Sequence, residues 1–525
     1  MVVRQLDGMP RLVVAFLCGV AVSNAVPHLP GLLPLSLLAL ALVGASVAVS
    51  GWRTLSGVFL YLAAFVLGAA RMAADRQADV AVPLGEYREY ECVALDDAVH
   101  RGKTLQFDAV VTGMDRSALA VPYKIKVSVL PGEKMMSVRG GMSFRFGAVL
   151  SLPVNDKRKK FDYRRYLHIH GFKAQAFVFG NAVRQVKADR GNIPLWARLQ
   201  MRASALRRSL GATFSRCGIE GDNLAVVYAM TLGDKRLIGS GLRDVYSVAG
   251  ASHVLALSGL HLGIIYSVLI ALFGRGVRLW RWRLLVQFVV LSAIWAYVVL
   301  VGMPVSAVRS ALMLSVGSLV MVSGRQGNGV NALFFSALAV VALSPVSIYD
   351  VGFQMSFLAV ASILLAAKPL YRCLAGGRVG RCAPLRWLAG MLSVSLAAQI
   401  GVAPLTAYCF GRFSCYFLLA NVFAVPLATM LLYGALAMLL LSGFPLLQSL
   451  VASAMNSLSQ LLNDAVAFIS SLPGASVENI SLSFVQLCLV YLIILSLFLI
   501  VAVLSRRRVR TLSNYRYPDT ESLGE

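Results

Sequence analysis

Charged side chains are scarce in this 525-residue chain, and acidic ones are the scarcest. Asp, Glu, Lys and Arg together make up 14% of the sequence, whereas 58% is hydrophobic and the mean hydropathy is +0.73. A soluble domain carries about a quarter charged residues, so composition argues against one and predicts a polytopic membrane protein. The 24 acidic residues oppose 49 basic ones. The net charge of +25 favours anionic partners, membrane lipids or nucleic acid, although loop arginines account for part of it.

Metal-binding and secretion signals are also missing. The eight cysteines form neither a C-x-x-C pair nor another zinc-ligand spacing, so we expect no metal site and no cofactor. Cys409 and Cys415 flank a short loop, and the sequence leaves open whether they pair in an oxidising space. The apolar stretch from Leu12 is followed by two more and lacks a convincing cleavage site, which argues against a cleavable signal peptide.

Motifs of nucleotide hydrolysis and acyl transfer are not found. Gly102-Lys103-Thr104 ends like a phosphate-binding loop, but Asp97 stands where the first glycine of that motif belongs, so no motor is evident. His168-Ile169-His170 is the only H-x-H, and no Asp-His pair follows it. No Ser-His-Asp set and no paired carboxylates stand out. We therefore do not expect an enzyme.

What the chain does have is hydrophobic segments, and we count about twelve. Three lie near 12–27, 31–50 and 54–70. Nine more fill the C-terminal half, near 249–273, 284–302, 304–322, 330–347, 350–367, 387–408, 415–443, 447–472 and 482–504. Their lengths suit a hydrocarbon core of about 30 Å. Pro426 lies inside one segment, which we expect to be kinked or re-entrant.

These segments divide the chain into five regions. We expect N-terminal transmembrane segments, an inserted β domain, an amphipathic basic helix with a linker, a transmembrane block and a polar tail, over residues 1–72, 73–194, 195–223, 224–505 and 506–525. The β domain is predicted from period-two alternation at Leu105–Val111 and Tyr123–Val129, with turns at Gly140-Gly141 and near Asn155–Lys160. Short strands joined by turns indicate a small barrel.

Loop charge predicts the orientation. Basic residues follow the first, third, fifth and ninth segments of the block: Arg275, Arg278, Arg281, Arg283, Arg325, Lys368, Arg372, Arg378, Arg381, Arg386, Arg506, Arg507, Arg508 and Arg510. Such loops lie in the cytoplasm. With twelve segments, both termini are then cytoplasmic and the β domain is extracytoplasmic.

A basic and aromatic segment follows the β-strand pattern. Between residues 150 and 216, 15 Lys and Arg oppose three acidic residues. The candidate DNA-binding residues are Lys157, Lys159, Lys160, Phe161, Tyr163, Arg164 and Arg165. Cations that follow phosphates and rings that stack on bases suit single-stranded nucleic acid. A solvated, lipid-facing basic surface with core aromatics is the alternative.

Two polar islands, 251–263 and 350–357, interrupt the apolar block. The candidate pore residues are Ser252, His253, Ser258, His261, Arg309, Asp350, Gln354 and Gln399. Ionisable groups are costly in hydrocarbon, so they usually face a water-filled path or a polar partner. Each histidine could instead be a satisfied core residue, and Gln399 could make an interhelical hydrogen bond. For Arg309, contact with a phosphate and pairing with Asp350 both stay open.

The islands resemble signatures of a known family. The run Ser252–His261, with Gly233-Asp234, Pro304–Ala311 and Asp350–Phe357, resembles the ComEC family of competence proteins. Weaker matches are Gln399, Pro404, Asn421, Pro426 and a soluble-domain motif at Phe161–Leu167. The resemblance covers residues 10–505. The longest family members carry a C-terminal metallo-β-lactamase-like domain, and this chain stops too soon to hold one.

The resemblance implies an OB-like fold for the β domain and an inner-membrane channel that passes single-stranded DNA into the cytoplasm during natural transformation. It also implies three partners: a periplasmic DNA receptor, a cytosolic ATPase or helicase, and a separate nuclease. An oligomer is possible. One alternative is an intramembrane enzyme that uses His253, His261 and Asp350 on a phosphorylated or lipid-linked substrate. Another is a solute transporter, for which we find no convincing internal repeat.

Overall fold

The computed structural model describes residues 8–26, 31–78, 81–130, 138–155, 162–186, 193–274, 280–322, 329–376 and 381–516. Within these ranges the chain is mostly helical, and a small β-barrel is inserted after the third helix. The N-terminal helices are α1 (Met9–Ala25), α2 (Leu32–Ala48) and α3 (Arg53–Gln77). Helix α3 runs five residues past the expected boundary at 72.

Glycines let α1 and α3 approach backbone to backbone. A Cβ added to Gly19 would lie 1.9 Å from the carbonyl oxygen of Phe65, and one added to Gly68 would lie 2.1 Å from that of Phe16. Any larger residue at either position would push the two helices apart. This is the small-residue contact by which helices associate in lipid.

The barrel contains seven strands and one short helix. They are β1 (Tyr87–Ala94), β2 (Val99–Arg101), β3 (Thr104–Met114), β4 (Ser117–Leu130), β5 (Ser143–Ser151), α4 (Tyr163–Ile169), β6 (Phe172–Phe179), a 3₁₀ turn (Gly180–Ala182) and β7 (Arg184–Val186). Five strands close in the order β1-β3-β4-β6-β5 and back to β1, while β2 and β7 pair at the margins. Only β4 and β6 are parallel. The predicted small barrel is confirmed, and its closed Greek-key order agrees with the OB-like expectation.

Alternation along the strands builds the barrel core. Every second residue of β3 and β4 points inward, so that Phe107, Ile125 and Val127 are 3% exposed or less. On the outside, Val93 and Val110 are covered by Ala197 and Met201 of the next helix. The sheet is therefore buried on one outer face as well as inside, and it is held against the helical block.

The C-terminal helices come after the barrel. They are α5 (Leu195–Arg216), α6 (Gly221–Leu232), α7 (Ser240–Ala249), α8 (Gly259–Phe273), α9 (Trp280–Leu300), α10 (Val305–Val322), α11 (Gly329–Leu343), a 3₁₀ turn (Pro345–Tyr349), α12 (Val351–Leu374), α13 (Ala383–Phe410), α14 (Phe417–Leu440), α15 (Pro445–Ser471) and α16 (Phe484–Arg516). Two short strands, β8 (Phe413–Ser414) and β9 (Ser476–Val477), pair with each other in the antiparallel direction.

Each of the nine predicted segments corresponds to one of the helices α8–α16, with one correction. The segment expected to start at 249 is not helical from 250 to 258, and α8 begins only at Gly259. The segment around Pro426 forms one continuous helix rather than a re-entrant loop. Cys409 and Cys415 are both free thiols, so the disulfide that the sequence left open is not formed.

Hydropathy identifies the chain as a membrane protein. Among the described residues, six helices are long and apolar enough to cross a membrane, and five shorter helices are also apolar. Helix α15 belongs to neither group, because Asn456, Gln460, Asn463 and Asp464 make it too polar.

Paired charges lock the barrel to the helical block. In the β1–β2 loop, Asp96 accepts a hydrogen bond of 2.7 Å from Arg207, and Asp97 accepts one of 2.9 Å from Arg208, both on α5. Arg207 also donates to the Leu300 carbonyl, 3.0 Å away, at the end of α9. Arg236 donates to the Asp97 carbonyl and to Asp234, so the Gly233-Asp234 motif takes part in this junction.

Candidate nucleic-acid interface and intramembrane polar cluster

The loop between β5 and β6 carries the basic segment predicted to bind DNA. The side chain of Asp162 caps α4 by accepting a hydrogen bond from the Arg165 backbone N–H at 2.8 Å. Asn155 donates to Asp162 and accepts from the Arg164 backbone N–H, which joins the two ends of the loop. Burial acts to raise the pKa of Asp162, but these hydrogen bonds outweigh it and hold that pKa below its usual value.

A cleft of about 630 Å³ opens beside this loop. Arg164, Arg165, His168 and Lys173 line it together with the apolar Leu152 and Phe172. Its size lies within the range of small-molecule sites, about 300–1,000 Å³. In OB-type barrels, the loop between the fourth and fifth barrel strands is one of the loops that bind oligonucleotides, and β5 and β6 hold those positions here.

The structure describes only part of the predicted DNA-binding set. Lys157, Lys159, Lys160 and Phe161 lie outside the described residues. Tyr163, Arg164 and Arg165 lie at the start of α4, and the two arginines are exposed. The ring of Tyr163 is stacked on that of Tyr166, with 6.3 Å between centroids. The described part thus combines cations with an aromatic pair, and their role in binding DNA stays a prediction.

One contact joins this loop to the helical block. The guanidinium of Arg165 lies over the ring of Tyr349, 3.9 Å from its centroid, in a cation–π geometry. Tyr349 ends the 3₁₀ turn that precedes Asp350. Tyr349 belongs to no motif recognised in the sequence, although an aromatic residue directly before a polar island is the signal that could have identified it.

The first polar island forms a turn and the start of a helix. Ser258 is the N-cap of α8, and its side chain accepts the backbone N–H of His261. In return, Nδ1 of His261 accepts the Ser258 backbone N–H at 3.3 Å, so histidine takes the place of the usual Glu or Gln of a capping box. His261 is 2% exposed, and its Nε2 has no hydrogen-bond partner among the described residues.

The rest of the first island has an exposed part and a part that is bonded to α10. Ser252 and His253 are exposed on the turn, so they do not share the buried position of His261. The turn is tied to α10, because Ser306 donates to the Leu257 carbonyl at 2.8 Å. A Cβ on Gly259 would meet Ser310 Oγ at 3.0 Å, which shows how closely α8 approaches α10.

The second island contains a buried ion pair. Nη1 of Arg309 lies 3.7 Å from Oδ2 of Asp350, and the two side chains are 2% and 6% exposed. The carboxylate also caps α12 by accepting from the backbone N–H groups of Gly352 and Phe353, each at 3.2 Å. Gln354 donates to the Ile348 carbonyl at 3.0 Å. Of the two roles that the sequence left open for Arg309, pairing with Asp350 is present.

Other polar side chains lie elsewhere in the block. Gln399 is half-buried on α13. Asn223, which the sequence analysis missed, donates to Asn456 and accepts from Asn463, and Tyr246 also donates to Asn463. For Asn456 this is an interhelical hydrogen bond. Within the described ranges, no three His, Cys, Asp or Glu side chains are grouped so that they could hold a metal ion.

Comparison with known proteins identifies relatives of the chain. A model of the competence protein family matches residues 230–507. ComE operon protein 3 of Bacillus subtilis (strain 168) is 27% identical over 369 residues, 68% of this chain and 43% of that protein. Uncharacterized protein YcaI of Escherichia coli (strain K12) is 25% identical over 214 residues, 39% of this chain and 27% of that protein.

An uncharacterized protein of Aquifex aeolicus (strain VF5) is 28% identical over 257 residues, 49% of this chain and 56% of that protein. Across these three relatives, the chain matches between 27% and 56% of the relative's own length. No solved structure matches.

Proposed function

Because this chain belongs to the competence protein family, we propose that it is an inner-membrane channel that passes single-stranded DNA into the cytoplasm during natural transformation. The observation that carries the proposal is the contact between Arg165 and Tyr349. It joins a basic, aromatic cleft suited to single strands to the residue that precedes the buried pair of Arg309 and Asp350. A surface suited to single strands therefore adjoins the turn that leads into the buried ion pair of the apolar block.

The proposed orientation puts the barrel outside the cytoplasm and both termini inside. Twelve membrane-crossing segments, three before the barrel and nine after it, divide the chain into the five regions expected from the sequence. Among the described residues, eleven of the twelve segments are apolar helices, and α15 is the more polar exception. Basic residues follow α8, α10 and α12 and lie in the last part of α16, which supports this orientation. The cleft of the barrel would then receive the strand before it reaches the helices.

The proposed conduit uses the polar islands. Ser258, His261, Arg309 and Asp350 supply its deepest polar groups, and Ser252, His253, Gln354 and Gln399 supply the remainder. The Nε2–H of a neutral His261 and the Nε–H of Arg309 are buried donors without partners among the described residues. An unsatisfied buried donor costs about 1–3 kcal/mol, so each would gain by donating to a phosphate oxygen.

Phosphates that move inward work against an inside-negative potential, at about 2.3 kcal/mol per charge per 100 mV. A passive conduit cannot supply that work. We therefore include a cytosolic ATPase or helicase that pulls the strand, a periplasmic receptor that delivers it, and a separate nuclease that removes the complementary strand. Surrounding lipids and further copies of the chain complete the proposed partners.

Proteoliposomes test the channel directly. Vesicles that contain the full-length protein are compared with empty vesicles. A lumen-positive potential is imposed on both, and fluorescent oligothymidylate is added outside. We expect label that is protected from added nuclease only in the protein-containing vesicles, and more of it as the potential rises. Equal protection in both vesicle types at every potential would reject the channel and would favour an intramembrane enzyme.

A further inference from the structure

A second cavity lies where the barrel meets the helices. It has a volume of about 350 Å³ and is bounded by α1, α3, the barrel helix α4 and the 3₁₀ turn before Asp350. Its polar lining consists mainly of Asp75, Arg76, Arg165, His168, Lys173 and Tyr349. We call it the junction cavity. Arg76 and Lys173 belong to no motif recognised in the sequence.

The walls of the junction cavity are fixed by hydrogen bonds between elements. Arg71 of α3 donates to the carbonyls of Ala342 and Leu343 at the end of α11. Arg76, at the end of α3, donates to the Ser23 carbonyl of α1. The cation–π contact of Arg165 with Tyr349 closes the barrel side. These contacts hold the elements around the cavity in fixed relative positions, so little rearrangement is needed for a ligand to bind.

Its charge favours an anion. Arg76, Arg165 and Lys173 supply three cations, and among the described lining residues Asp75 is the one carboxylate. That carboxylate is already paired with Arg71, 3.6 Å away and one helical turn earlier. Cations therefore outnumber carboxylates among the described lining residues, which favours an anionic ligand.

The junction cavity adjoins the barrel cleft. Arg165, His168 and Lys173 line both. Arg164 lines only the cleft, and Arg76 lines only the junction cavity. An extended chain of phosphates lying in the cleft therefore meets further cations when it continues toward Tyr349.

We propose that the junction cavity binds a phosphodiester group of the single strand as it passes from the barrel to the helical block. This rests on the proposed function, and it adds Arg76, His168 and Lys173 to the residues that contact DNA. Guanidinium and ammonium groups also bind phospholipid headgroups. We assign the phosphate to nucleic acid because the cavity shares Arg165, His168 and Lys173 with the cleft of the barrel.

The test uses the full-length protein in nanodiscs of neutral phosphatidylcholine and two lengths of fluorescent oligothymidylate. One is about four nucleotides long and the other about sixteen, which brackets the site size of an OB-type barrel. The variants Arg164→Gln, Arg76→Gln and Arg184→Gln change the cleft, the junction cavity and an exposed barrel arginine that lines neither. Melting temperatures check that each variant is folded.

Arg164→Gln should weaken the binding of both oligonucleotides, whereas Arg76→Gln should weaken the binding of the longer one only. Log K falls as log salt concentration rises, and each lost phosphate contact should reduce the magnitude of this negative slope by about 0.7. Lys173→Gln should reduce that slope for the longer strand as well. Arg76→Lys keeps the charge and should retain the slope, whereas a purely structural role through Ser23 would not be rescued by charge alone.

Three outcomes overturn the proposal in distinguishable ways. If the longer strand binds and Arg76→Gln behaves like Arg184→Gln, the junction cavity does not contact DNA, while the proposed function stands. If Arg76→Gln instead lowers the retention of phosphatidylglycerol in mixed nanodiscs and leaves DNA binding unchanged, the ligand is a lipid. If wild-type protein binds neither oligonucleotide, the DNA contact of the proposed function fails as well.

Discussion

Arg309 and Asp350 form an ion pair at 3.7 Å with almost no exposure, yet the pair is incompletely satisfied. Nε and Nη1 of Arg309 donate no hydrogen bond to any described residue, and the guanidinium lies 5.9 Å from the centroid of the Phe353 ring. Burying two charges costs several kcal/mol per ion unless geometry and hydrogen bonding are excellent. The arginine is thus poorly explained by stability alone, and a transient anionic partner would satisfy it.

Variants of this pair separate stability from transport. Asp350→Asn should lower the free energy of unfolding by roughly 3–5 kcal/mol, and with it the melting temperature, because a buried cation loses its counter-charge. The amide oxygen can still cap α12, so the helix start is retained. Adding Arg309→Met should restore most of the stability, since no unpaired charge remains.

Transformation frequency gives the second measurement on the same variants. If Arg309 contacts the strand, the stable double variant should still fail to internalise DNA. A double variant with normal abundance, normal melting temperature and normal transformation would show that the pair is only structural.

His261 can be tested with a matched pair of substitutions. His261→Gln keeps a capping-box residue and a polar group, whereas His261→Leu keeps bulk and removes both. We expect both proteins to be inserted at normal abundance, with internalisation abolished in the leucine variant and retained in part by the glutamine variant. DNA should then accumulate outside the inner membrane. Normal transformation by an abundant His261→Leu protein would remove His261 from the conduit.

Sequence patterns predicted most of the fold because they are local. Long apolar runs identified α8–α16, and period-two alternation identified the strands around Phe107 and Ile125. Ser258-Gly259 permitted a break in this segment, but the sequence assigned the turn at 250–258 to the span because it is as apolar as a helix: Ala251, Val254 and Leu257 are 3% exposed or less. Long-range packing against α10, through Ser306, decides its shape, and hydropathy carries no information about that contact.

The candidate site was predicted in part for the same reason. The pairing of Arg309 with Asp350 was one of two alternatives, because motif spacing names the residues but not their distance. The contact of Arg165 with Tyr349 joins residues 184 positions apart, and the junction cavity collects side chains from α1, α3 and the barrel. Only the tertiary arrangement brings these groups together.

The orientation predicts a labelling pattern. In a variant whose eight cysteines are replaced by serine, Asn181→Cys presents a thiol on an exposed turn of the barrel, and Arg386→Cys presents one in the exposed first turn of α13. In intact spheroplasts, a membrane-impermeant maleimide should label position 181 at once and position 386 only after permeabilisation. The reverse pattern would invert the topology and would put the barrel in the cytoplasm.

The junction between barrel and helices should weaken at acid pH. Burial acts to raise the pKa of Asp97, but the hydrogen bonds from Arg208 and the Gly140 backbone N–H, with the charges of Arg208 and Arg236, hold it below its usual value. A depressed carboxyl pKa contributes stability that is fully present above the unfolded value, about 3.9, and is lost as the pH falls through the folded value.

Asp97→Asn should therefore lower the melting temperature of the full-length protein at neutral pH, and this difference from wild type should shrink once the pH falls below about 4. Arg208→Gln should show the same convergence, because it removes the group that stabilises the carboxylate. A difference between wild type and Asp97→Asn that stays constant from neutral to acid pH would show that the Asp97 carboxylate does not hold the junction together.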